Sequence, residues 1–76
     1  MKRINNKTFE IRTYDNGVLP FVIGSEYKAT GTCGVCKDKV VKGVLKIDKR
    51  FGEIELVLHS EYHGLVSINE RTLSYL

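Results

Sequence analysis

Cys33 and Cys36 stand three positions apart in Gly31-Thr32-Cys33-Gly34-Val35-Cys36-Lys37, and His59 and His63 stand four positions apart further along the chain. Two thiolates at that spacing can grip one metal ion if the backbone between them turns tightly, and the neighbouring glycines permit such a turn. Imidazole nitrogens would complete the shell. Cys33, Cys36, His63 and His59 are therefore the candidate ligands, and zinc is the candidate cofactor, in a structural role with all four positions filled. His63 is the better placed of the two histidines, because a regular strand carries His59 roughly 13 Å away from it. A site that uses both needs a bend at Ser60 to Tyr62. Without that bend, Glu61, Asp38 or water completes the shell.

The local cysteine pattern resembles the knuckle of a zinc ribbon or finger. The full order is Cys-x2-Cys-x22-His-x3-His, and its middle gap exceeds the usual finger spacing of roughly 12 to 15 residues. Metal-free thiols and a reversible disulfide stay open as alternatives. Thioredoxin-type chemistry draws on a thiolate at a helix N-terminus, and Lys37-Asp38-Lys39-Val40-Val41 does not read as that helix. His59-Ser60-Glu61 has the His-x-Glu of zinc deaminases. There the motif precedes Pro-Cys-x-x-Cys, whereas here the order is reversed and Thr32 stands in the place of Pro. Ser25, Ser60, Ser67 and Ser74 lack a glycine-elbow context, and no glycine motif that cradles phosphate is present, so catalysis is not expected.

The scaffold around these residues must be small. A chain of 76 residues, 42% hydrophobic and 28% charged, supports one domain spanning 1–76 and no second core. Cores of this size commonly recruit a metal, a disulfide or a partner. No apolar run follows Lys2 and Arg3, so neither a signal peptide nor a membrane contact is expected. A thiol pair too close for a useful disulfide loop points to the cytoplasm. The net charge is +3. Its excess is local: residues 37–50 carry six Lys or Arg against two Asp, while residues 51–76 carry one against four.

Period-2 alternation with Val, Ile, Tyr, Phe and Thr predicts an all-β fold, a small antiparallel sheet of about five strands curled into a partly open barrel or roll. The clearest element is a hairpin over residues 39–59. Val41, Leu45 and Ile47 share a face with Gly43, and Ile54, Leu56 and Leu58 share one on the return arm, with Glu53, Glu55, Val57 and His59 pointing away. Placing the apolar sets together pairs Ile47 with Ile54 and Leu45 with Leu56. That register leaves Lys49-Arg50-Phe51-Gly52 as the loop and sets Lys46 opposite Glu55. Extended, it places Asp38 opposite His63 and His59 opposite Lys42.

Upstream, Thr8 to Tyr14 reads as a strand ending at Asp15-Asn16-Gly17, where Asn-Gly suits a type I′ turn. Pro20 puts the return arm on an edge, or delays the strand to Phe21, from which it runs to roughly Lys28. Past His63 the chain either continues as a strand over Leu65 to Ile68 or opens a short helix with Ser67 and Glu70 as a capping box.

The functional expectation is a non-catalytic binding module stabilised by structural zinc and docking on a protein or a nucleic acid. The expected contact residues are Lys49, Arg50 and Phe51, with Lys42 and Lys46 behind them, because turn chemistry needs neither cations nor a large aromatic at a hairpin tip. The alternative is a metal-free inhibitor or adaptor acting through an exposed strand edge or the loop at 49–52. Outward lysines also protect strands from aggregation, and uncovered edges leave homodimerisation open.

Overall fold

The computed structural model describes residues 1–50 and 52–76, with Arg50 described by its backbone alone. Among the described residues the chain forms β1 (Lys2–Arg3), β2 (Thr8–Thr13), β3 (Gly17–Val22), β4 (Glu26–Gly31), a 3-10 turn at Gly34–Cys36, β5 (Val40–Arg50), β6 (Glu53–Ser60) and β7 (Gly64–Tyr75). β1, β2 and β3 make an antiparallel sheet in that order, and β4 to β7 close into a four-strand barrel. The expected all-β class is what the molecule has. Its barrel is closed, because β5 is long enough to pair with β4 through Val40–Val44 and with β6 through Val44–Arg50.

Alternation selects the buried faces. Phe9 and Ile11 of β2 and Phe21 of β3 meet Tyr27, Ala29, Val41, Leu45, Leu56, Leu58, Val66, Ile68 and Leu73 of the barrel in one apolar cluster. Phe21, Tyr27 and Tyr75 join the two sheets, with Phe21 and Tyr27 edge to face at 5.0 Å between ring centres. The last strand carries a bulge between its pairings with Thr30 and Lys28. There Thr72 Oγ1 donates to the Asn69 carbonyl at 2.6 Å and accepts the Thr30 N–H at 2.8 Å, taking the place of a ladder partner.

Several local expectations need correction. The central hairpin pairs Leu45 with Leu58 and Ile47 with Leu56, two residues from the expected register. A shift of two keeps every side chain on its face, so the apolar pattern could not tell the registers apart. The ladder runs on to Arg50 and Glu53, which places Lys46 opposite Val57 and Asp48 opposite Glu55, so Lys49 and Arg50, expected in the loop, belong to the strand. Ile47 and Ile54, expected in the core, are 36% and 44% exposed. Val57, expected to face away, is wholly buried.

Asn16-Gly17 does not form a type I′ turn. Thr13 pairs with Gly17 across three residues, and of the turn residues only Gly17 has positive φ. Thr13 Oγ1 closes this turn by donating to the Gly17 carbonyl at 2.8 Å and accepting the Asn16 N–H at 3.1 Å. The strand expected from Phe21 to Lys28 is broken at Ile23-Gly24-Ser25 into β3 and β4. Pro20 lies on an edge, as its missing donor requires. The tail is a strand, and Ser67 is buried within it, so the capping-box helix is absent. No helix among the described residues is long and apolar enough to cross a membrane.

Candidate functional site

The cysteine segment is a tight knuckle held by backbone hydrogen bonds. Gly31 N–H donates to the Lys39 carbonyl at 2.9 Å, Asp38 N–H to the Gly31 carbonyl at 3.0 Å, and Lys39 N–H to the Cys36 carbonyl at 3.0 Å. Gly34 and Asp38 take positive φ to make the two reversals. The knuckle also presses on the end of β4, where a Cβ on Gly31 would collide with the backbone carbonyl and Cβ of Cys36. Gly31 is thus required by close approach.

This geometry overturns the zinc expectation. Cys36 turns into the apolar core and is 5% exposed, while Cys33 stays at the surface. The two thiols are divided between core and solvent. Cys33, Cys36 and His63 do border one depression of about 250 Å³, and His59 is not part of it. Among the described residues no three His, Cys, Asp or Glu side chains are arranged to hold a metal ion. His59 faces Val44 and Leu65, not Lys42. His63 lies in the turn between Ser60 and Gly64, whose first residue accepts the N–H groups of Tyr62 and His63 on its Oγ. The binding module built on structural zinc is therefore not what this chain forms.

Of the expected contact residues, three have side chains that the structure describes. Lys42 and Lys46 share a face of β5, whereas Lys49 occupies the opposite face, level with Ile54. Phe51 and the Arg50 side chain lie outside the described residues. The edge at Phe21 to Lys28 offers little for strand addition. β4 is paired on both sides, and on β3 Pro20 lacks a donor while its carbonyl accepts the Tyr75 hydroxyl at 2.6 Å. Val22 N–H is taken up by the Tyr27 hydroxyl at 2.8 Å.

What the structure brings together instead is the knuckle and the β6–β7 turn. Between them runs an open groove of about 770 Å³, walled by Val35, Lys39, Val40 and Lys42 on one side and by His59, Glu61, Tyr62 and His63 on the other, with Glu26 at its margin. It adjoins the smaller depression, and both are lined by Val35, Cys36 and His63. Gly43 lies along the groove because β5 there crosses close to β6. A Cβ at Gly43 would stand 2.6 Å from the His59 carbonyl oxygen.

Around these depressions Val35 is 73%, Val40 71%, Tyr62 88% and Leu65 50% exposed. None of the four was singled out by spacing or motif. One signal was available: Gly34-Val35 and Glu61-Tyr62-His63 put apolar side chains at turn positions where turn chemistry asks for none. No protein-family model, curated protein or solved structure significantly matches this chain.

Proposed function

We propose that the chain is a non-catalytic binding module that docks on another protein through the face formed by the knuckle and the β6–β7 turn. The observation that carries this reading is the gathering of Val35, Val40, Tyr62 and Leu65, all exposed, around two adjoining depressions. Apolar side chains scattered singly over a surface need no explanation, but a contiguous group rimmed by polar residues marks an interaction surface. Fully covering one such side chain is worth roughly 1.5–3 kcal/mol, so four of them can anchor a partner.

A protein fits this face better than a nucleic acid. Glu26 and Glu61 line the groove among its lysines, and a continuous phosphate backbone laid along it would meet both carboxylates. The total charge of +3 adds only a weak general attraction to polyanions.

Affinity capture from cell extract on the immobilised chain, with and without nuclease, tests the reading. The expected result is a protein retained after nuclease treatment and released by Val40→Ser with Tyr62→Ser. Capture that vanishes with nuclease, or that ignores the two substitutions, would contradict it.

A further inference from the structure

On the reading that this face docks a protein, we infer that it takes up an extended segment with an apolar side chain two residues from a carboxylate, the carboxylate being received by Lys28 and Lys42. The β4–β5 register sets these two lysines directly opposite one another. Both are exposed, and among the described residues neither ammonium is held in an ion pair. Like charges directly opposed across a ladder repel. A free chain therefore keeps an unfavourable pair of which Lys42 lines the groove and Lys28 stands beside it across the ladder, and an anion between the two ammonium groups removes it. Glu26, two residues from Lys28 on the same face, offsets one of the charges at most.

The spacing of the complementary groups follows from β5 itself. Val40 and Lys42 are two residues apart and project to the same face, Val40 being 71% exposed. An extended partner also repeats its side-chain direction every second residue, at roughly 6.6–6.8 Å. An aliphatic or aromatic residue set against Val40 and Tyr62 thus places the side chain two positions away beside Lys42, where the chemistry calls for Asp or Glu. A polyanion would satisfy the lysines but would put successive charges against Val40 and Tyr62, which offer nothing to a phosphate.

Selection of displayed random peptides on the wild-type chain, on Lys28→Glu with Lys42→Glu, and on Val40→Ser with Tyr62→Ser tests this. The wild-type chain should enrich peptides with Asp or Glu two positions from an apolar residue. The charge-reversed chain should enrich Lys or Arg at that position and bind the wild-type selections about tenfold more weakly, a loss of about 1.4 kcal/mol. Lys42→Gln alone should weaken the acidic preference without reversing it, which guards against a misfolded double variant.

Peptides that depend on Val40 and Tyr62 but show no acidic enrichment would overturn this inference and leave the docking face standing. Peptides indifferent to Val40→Ser and Tyr62→Ser, or no peptides at all, would overturn both. A chain whose sedimentation depends on concentration until Val40 and Tyr62 are replaced would show that a second copy fills the groove, and that too would overturn the inference.

Discussion

The outer edge of β3 and the groove beside β5 are both places where this small barrel meets water, and they are finished in opposite ways. At β3, Pro20 removes a donor, and the Tyr75 and Tyr27 hydroxyls take up the Pro20 carbonyl and the Val22 N–H. At the groove, Val35, Val40 and Tyr62 project into solvent and two lysines face each other across a ladder. Strand edges are aggregation hazards that folds blunt with proline and covering side chains. The β3 edge still leaves Val18 and Val22 48% and 38% exposed, but Val35, Val40 and Tyr62 at the groove stand at 73%, 71% and 88%, so the most exposed apolar groups of the pair of surfaces lie at the groove.

The largest expected effect comes from breaking the close approaches that build the groove's walls. Gly31→Ala and Gly43→Ala each thrust a Cβ into backbone, against Cys36 and His59 respectively. Each should destabilise the chain by about 3 kcal/mol in urea melts. A loss below about 0.5 kcal/mol would mean that these strands do not pass as described.

Next come the two faces of β6. Leu56→Ala should cost about 2–5 kcal/mol. Val57→Thr should cost about 1–3 kcal/mol, because it buries a hydroxyl in a wholly covered position. If Val57→Thr proved neutral, its side of the strand would be open after all.

The hydroxyl caps sharpen the comparison further. Tyr27→Phe should speed hydrogen exchange at the Val22 amide and cost about 1 kcal/mol, as loss of one partly buried hydrogen bond does. Unchanged exchange would mean that the cap does not protect the edge. The smallest effects on stability belong to the groove: Val40→Ser and Tyr62→Ser should each shift it by less than about 0.5 kcal/mol, since both side chains stand in water. Chelator should leave the melting curve where it is, because the two thiols are split between core and surface. A chelator-sensitive melt would restore the metal.

How much of this was legible in the sequence can be followed residue by residue. Alternation exposed the β class and the correct faces of Leu45, Leu56 and Leu58, since a period of two survives any register shifted by two. It could not fix the register itself, which depended on how far the ladder continues toward Gly52. Pro20 announced an edge, because a missing donor is a local fact. The break at Ile23-Gly24-Ser25 went unread, and with it the register that opposes Lys28 to Lys42. Cys36 shows why the metal reading failed: a buried cysteine behaves as a small apolar side chain, and spacing alone does not reveal which way it turns.

The most direct test of the docking face is amide chemical-shift mapping of the isotope-labelled chain with its captured partner. The account predicts perturbations concentrated at Val35, Val40, Lys42, Tyr62 and His63, with β1 to β3 undisturbed. Perturbations concentrated instead along β3, or at Ile47 to Lys49 and Ile54 on the distal arm of the central hairpin, would contradict it.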